Sequence, residues 1–149
     1  MGSQSDYSVM KDSEKILRIL KIKYQVSIVS AHRTPKRMFE FAESAAKNGF
    51  AVIIAGAGGA AHLPGMVASL ATVPVIGVPI ESKKLKGLDS LLSIVQMPKG
   101  CPTATMAING AFNAGLHAAS IIGTFDLKVR SNLEKWNRLQ TKSVKKKIK

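Results

Sequence analysis

Hydrophobic positions along this chain switch repeatedly between a helical and a strand-like period. From Val9 to Leu20 the apolar residues 9, 10, 16, 17, 19 and 20 form one stripe opposite a polar face, which predicts a helix. Tyr24 to Val29 alternates and is β-branched, predicting a strand. Thr34-Pro35 marks a helix start, since Thr can cap and Pro suits the first helical position, and Asn48-Gly49 closes that helix after about Lys47. Ala51 to Ala55 is a continuous apolar run, the mark of a strand covered on both faces. A short helix over 61–71, a strand over 74–79 and a helix over 88–95 follow. Met97 to Pro102 reads as a loop, because Pro and Gly break either regular element. Thr103 to Ile108 predicts a last strand, Phe112 to Ile122 a helix, and Leu127 to Thr141 an amphipathic terminal helix. Strands alternating with helices imply βαβ units, right-handed crossovers and a mostly parallel α/β sheet with helices on both faces. One catalytic domain over 1–125, followed by a terminal helix and basic tail over 126–149, is the expected organisation.

Three polar or glycine-rich segments interrupt the apolar runs. They are Gly2-Ser3-Gln4-Ser5-Asp6, Ser30-Ala31-His32-Arg33-Thr34-Pro35 and Gly56 to Gly65. Each precedes a predicted helix and two follow predicted strands, the position where open parallel sheets bind ligands. In the first, two hydroxyls, a carboxylate and free helix N–H groups suit a phosphate and a sugar hydroxyl, although a simple helix cap by Ser5 or Asp6, which needs no ligand, is the plainer reading of this segment alone. In the second, Arg33 can grip an anion bidentately, and His32 can both donate and accept a proton near neutrality. A loop histidine bonded to backbone beside an exposed arginine is the plainer alternative. In the third, Gly56-Ala57-Gly58-Gly59-Ala60-Ala61 also fits a dinucleotide fingerprint, with Glu81 near the place of the ribose-binding acid. His62 falls in a helix's first turn and His117 in mid-helix, where packing is the expected role.

Composition narrows the class. A chain of 149 residues with 46% hydrophobic and 21% charged residues suits a single globular domain. A single cysteine, Cys101, rules out an internal disulfide framework and suits a reducing, cytoplasmic compartment. The polar start carries no signal-peptide core, and no stretch approaches membrane-spanning length. The net charge of +13 is uneven: residues 126–149 hold nine Lys/Arg against two acids, whereas residues 50–125 hold four against two. A basic tail can bind polyanions, and a solvated terminus is the plainer reading. No Cys/His/Asp cluster has metal-ligand spacing, so no metal is expected.

Taken together, Gly-Ser-x-Ser-Asp, Ser-Ala-His-Arg-Thr-Pro, Gly-Ala-Gly-Gly-Ala-Ala-His-Leu-Pro-Gly and the run from Gly87 to Pro98 resemble the class I N5-carboxyaminoimidazole ribonucleotide mutases. The resemblance extends to about Ile122. It implies a three-layer flavodoxin-like fold, a homo-octamer, and an isomerase moving a carboxylate from the exocyclic nitrogen to C4 of one imidazole nucleotide, without metal or organic cofactor. It assigns Ser5 and Arg33 to phosphate, Asp6 to ribose and Ser3 to the carboxylate region. His32 becomes the acid–base group, while Ser30, Gly58, Gly59 and His62 join the substrate-binding set. It leaves no role for nucleic acid or a membrane.

The chain departs from the family in three places. An apolar strand ahead of Met-Gly-Ser is missing, the segment around Asn109 is a couple of residues short, and Glu81 stands where glutamine is common. Without that strand, the predicted strands at 24–29 and 51–55 lose a shared neighbour, and their buried backbone groups lose ladder partners. An upstream natural start, with Met1 an internal methionine, is the expectation; a decayed gene is the alternative.

Overall fold

The computed structural model describes residues 1–146. A 3₁₀ turn over Gln4–Asp6 leads into α1 (Tyr7–Ile19), and α2 (Pro35–Ser44) follows. The chain then alternates through β1 (Ile53–Gly58), α3 (Leu63–Ala68), β2 (Val75–Ile80), α4 (Leu88–Val95) and β3 (Ala104–Thr105). It closes with α5 (Ala111–Ile122) and α6 (Leu127–Ser143). Lys147, Ile148 and Lys149, the end of the basic tail, lie outside the described residues.

The sheet is parallel, in the order β1-β2-β3, with Ile53 opposite Val75 and Ile76 opposite Ala104. Its two faces follow from the period-2 alternation of side chains. Ile53, Ala55, Ala57 and Val75 join Met38 and Ala42 of α2, Leu63 and Val67 of α3 and Ile94 of α4. Ile76, Val78 and Ile80 point the other way, onto Met10 of α1 and Ala111, Ala114 and Ala118 of α5. Small residues on α5 let it lie close to α1, and a β-carbon at Gly115 would run into Ile16. Ile76 and Ile94 are fully buried, each worth about 1.5–3 kcal/mol of apolar transfer. α6 joins the same body through Val129 in a cluster with Ile16, Leu20 and Ala119, and Asn132 donates to the Leu20 carbonyl at 2.9 Å.

Several sequence expectations shift. α4 occupies the expected span, but β1 starts two residues late and runs into the glycines. Its Gly56 lies against Met10, where a β-carbon would overlap the thioether, so the glycine serves helix–sheet approach. β3 shrinks to two residues.

The expected strand over Tyr24–Val29 does not form. Among the described residues Met1 alone provides ladder-like partners there: its ammonium donates to the Ser27 carbonyl at 3.1 Å, and Val29 N–H donates to the Met1 carbonyl at 3.0 Å. Strand character needs repeated pairing, and β-branched sequence without a neighbour does not supply it. His117 is exposed on α5 rather than packed.

Candidate active site

The carboxyl end of β1 and the loops beside it surround a cleft of about 670 Å³. All three polar segments reach it: Ser3, Ser5 and Asp6 from the first, Ser30, His32 and Arg33 from the second, and Gly58, Gly59 and His62 from the third. Residues up to 59 positions apart in sequence thus share one concavity, as the switch-point geometry of parallel sheets requires.

The first segment is held by its acid. Asp6 is buried, and its Oδ2 accepts the Ser3 N–H at 2.9 Å. The carboxylate therefore bends the chain back rather than capping α1, whose N-cap position it occupies without a side-chain cap bond. Ser3 Oγ and Ser5 Oγ stand 2.5 Å apart, a pair of hydroxyls at the cleft wall. Gly2 N–H donates to the Gly56 carbonyl at 3.2 Å, tying this segment to β1.

The second segment is a tight turn built on Ser30 and Thr34. Ser30 N–H donates to Thr34 Oγ1 at 2.8 Å, Thr34 N–H donates to the Ser30 carbonyl at 3.0 Å, and Arg33 N–H donates to Ser30 Oγ at 3.2 Å. Thr34 was expected to cap α2 with its hydroxyl; that hydroxyl is spent on Ser30 instead. The turn leaves both His32 and Arg33 exposed, and Arg33 Nη2 donates to the Gly2 carbonyl at 3.3 Å. This guanidinium thus spans the first two segments while keeping donors for an anion.

His32 Nε2 and His62 Nδ1 lie 2.9 Å apart, with the rings edge-on at 84° and their centroids 5.0 Å apart. One of these two nitrogens carries the shared proton, so the neutral tautomers are linked: a donor on one ring requires an acceptor on the other. A proton can pass along this bond. The pairing is legible in neither loop alone.

The glycine loop is held from behind. Ser90, fully buried on α4, donates its hydroxyl to the Ile80 carbonyl at 2.7 Å and accepts the Gly59 N–H at 2.8 Å. Gly59 adopts φ +67°, a left-handed conformation that favours glycine. Asp89 Oδ1 accepts the Ser82 hydroxyl at 2.7 Å, and that bond holds the carboxyl below the usual aspartate range. Across the cleft mouth, Glu81 N–H donates to Asn109 Oδ1 at 2.9 Å, and Asn109 Nδ2 returns a bond to Glu81 Oε2 at 3.1 Å. Ser82, Lys83, Ser90 and Asn109 escaped the sequence reading; Ser82 and Ser90 sit in the run from Gly87 to Pro98 or just ahead of it, the signal that pointed there.

The dinucleotide alternative fares poorly. Gly56 and Gly58 belong to β1 itself, α3 holds only six residues, and the Glu81 carboxylate is engaged by Asn109. Among the described residues no group of three or more His, Cys, Asp or Glu is placed to hold a metal ion, and no helix is long and apolar enough to cross a membrane.

The chain is similar to known proteins along most of its length. A family model described as AIR carboxylase matches residues 1–143. The N5-carboxyaminoimidazole ribonucleotide mutase of Thermotoga maritima is 64% identical over 123 residues, covering 83% of this chain and 72% of that protein. The enzyme of the same name from Escherichia coli K12 is 54% identical over 146 residues, covering 97% and 86%. The crystal structure of Treponema denticola PurE superposes with a TM-score of 0.86 at 26% identity, covering 95% of this chain and 89% of that one.

Proposed function

Because the chain belongs to the AIR carboxylase family, we propose that its cleft works as an N5-carboxyaminoimidazole ribonucleotide mutase of purine biosynthesis. The observation that carries the mechanism is the convergence on one cleft of a hydrogen-bonded histidine pair, an anion-gripping arginine and a backbone-only glycine loop.

Arg33 and Ser5 hold the nucleotide's phosphate, the arginine as a planar fork and the serine as a single donor. Asp6 keeps one carboxylate oxygen for a ribose hydroxyl, since the other is committed to Ser3 N–H. Ser3 lies beside the transferred carboxylate, and Ser30 fixes the turn that presents His32 and Arg33. Gly58 and Gly59 let the main chain close over the base with no side chain between, and His62 flanks His32 there.

The reaction is isomerisation, so atoms and protons must balance within the site. His32 as imidazolium gives its proton to the carbamate nitrogen. The N–C bond breaks, the bonding pair stays on nitrogen, and carbon dioxide is released next to the ring. C4, made electron-rich by the amino group now formed, attacks that carbon dioxide. The C4 proton then leaves to His32, which regains its starting charge. One histidine serves as acid and then as base. The sequence closes without metal, biotin or nicotinamide. Water exclusion and close confinement of carbon dioxide supply the remaining acceleration.

Assembly as a homo-octamer is part of the same reading. Leu85 and, at helical spacing along α4, Leu88, Leu92 and Val95 are each about half exposed, an apolar stripe suited to burial between copies. Light scattering should then give about 127 kDa for this 15.9 kDa chain, and a monomer mass would overturn the octamer.

The activity is tested with substrate carrying ¹³C in its carboxylate, in buffer containing unlabelled bicarbonate. Product that keeps the label supports transfer within the cleft. Product that has lost the label to unlabelled bicarbonate, or no product, would refute it.

A further inference from the structure

A carboxylated imidazole nucleotide carries two anionic groups, the phosphate at one end and the carboxylate on the base. Among the described residues lining the cleft, two are permanent cations, Arg33 and Lys83. They stand on opposite sides of β1. Arg33 Nη2 donates to the Gly2 carbonyl, and Gly2 N–H bonds the Gly56 carbonyl along the edge of β1 that β2 does not occupy. Lys83 follows the end of β2, which pairs with the other edge. The glycine loop, which continues β1, lies between the two.

The two residues ahead of Lys83 are pinned. Glu81 N–H donates to Asn109 Oδ1 at 2.9 Å, and Asn109 Nδ2 donates to Glu81 Oε2 at 3.1 Å. Asn109 is itself fixed, with its N–H on the Pro79 carbonyl at 2.8 Å. The Ser82 hydroxyl donates to Asp89 Oδ1 at 2.7 Å and accepts the Gly87 N–H at 3.3 Å, so one side chain closes the loop over 82–87. Lys83 therefore leaves a fixed stretch of backbone, and a flexible four-carbon stem carries its ammonium. Both carboxylates on the cleft wall are already engaged, Asp6 by the Ser3 N–H and Glu81 by Asn109. Among the described residues the one ion pair is Arg18 with Glu14, so no carboxylate neutralises Lys83. Lys84 and Lys86, on the same loop, do not line the cleft.

We propose that Lys83 binds the transferred carboxylate, reaching it from one wall while Ser3 approaches from the other, and so makes the cleft prefer a carboxylated imidazole nucleotide to the decarboxylated one. The inference rests on the mutase reading. With the phosphate on Arg33 and Ser5, the base lies over the glycine loop on the side toward Lys83. A cation there complements the carbamate of the substrate and the C4 carboxylate of the product alike. It gains little from the neutral carbon dioxide formed between them. Its contribution therefore falls on binding of the two end states, not on the chemical step.

The test titrates the full chain, its Lys83→Met variant and a Lys84→Met control with 4-carboxy-5-aminoimidazole ribonucleotide and with 5-aminoimidazole ribonucleotide, by calorimetry. Lys83→Met should bind the carboxylated nucleotide about tenfold more weakly and the other within about twofold of wild type, because only the first loses a hydrogen bond between charged groups. Lys83→Arg keeps the charge and should recover most of the lost affinity. Lys84→Met removes the same net charge away from the cleft and should leave both affinities within about twofold. In turnover, Lys83→Met should raise KM while leaving kcat unchanged. Equal weakening for both nucleotides, no weakening for either, or the same loss in Lys84→Met would overturn the proposal and leave the mutase reading standing. A wild-type chain that binds neither nucleotide would overturn that reading, and the proposal with it.

Discussion

Ser90→Ala removes a single hydroxyl yet should loosen the catalytic loop. In the native protein this oxygen is fully buried, donates to the Ile80 carbonyl at 2.7 Å and accepts the Gly59 N–H at 2.8 Å. Alanine fits the space, so packing changes little and the cost falls on the two stranded backbone groups. The Ile80 carbonyl is in a buried bond, and leaving it unpaired costs about 1–3 kcal/mol. Gly59 is only half-buried and can recover water, so its loss is roughly 0.5–1.5 kcal/mol. The sum, about 1.5–4.5 kcal/mol, is a large share of a total near 5–15 kcal/mol. Urea unfolding followed by circular dichroism should show a lower midpoint with an unchanged slope, because the surface exposed on unfolding is the same. Activity should fall as well, since Gly59 holds φ +67° at the cleft and loses its only anchor to α4. A stability loss below about 0.5 kcal/mol with unaltered kcat/KM would show that the Ser90 bridge neither braces the fold nor positions the loop.

Arg33→Ala should raise KM for the phosphorylated substrate at least tenfold while changing kcat less, because a charge-assisted bond worth about 1.5–3 kcal/mol is lost in ground and transition states alike; equal KM in both proteins would remove Arg33 from the phosphate site. Stability should also respond to pH at two groups. Asp89 has its carboxyl held below 3.8 by the Ser82 hydroxyl, so its contribution is present above that value and lost as pH falls through the lower, folded pKa. Asp89→Asn should flatten that acid limb of a melting-temperature profile, and an unchanged limb would contradict the assignment. Burial holds the Met1 ammonium below 8.0, so the unfolded chain binds more protons between the folded pKa and 8.0. Stability should accordingly rise with pH across that window and level off above it, and a flat profile there would count against the buried ammonium.

The parts of this fold that local patterning determines were legible in the chain. α4 carries its own apolar stripe and a left-handed Gly87 at its start, and it spans Leu88–Val95 as the periodicity predicts. α2 begins at Pro35 for the reason Pro35 advertises, a fixed φ at a position with no N–H to satisfy. Pairing between distant segments was less legible. Residues 24–29 have strand composition, but a strand is a relation between neighbours, and among the described residues only Met1 pairs with them along the backbone. β1 slid toward Gly58 because Gly56 is needed under Met10, a contact that spacing within 51–60 does not announce. In the site, the three loops were identified by residue type, whereas the His32–His62 bond, the Ser90 bridge and the Glu81–Asn109 pair each join positions about 30 apart. Such links depend on the order of strands in the sheet.

The central claim is that one histidine moves the carboxylate. His32→Asn preserves polarity and approximate size but cannot carry the proton, so it separates chemistry from binding. Turnover is measured as formation of 4-carboxy-5-aminoimidazole ribonucleotide, alongside substrate-induced thermal stabilisation of the same protein. The account predicts that kcat falls by more than about 100-fold, the lower bound for general acid–base catalysis, while stabilisation by substrate persists. A variant that keeps more than a few per cent of wild-type turnover would contradict it.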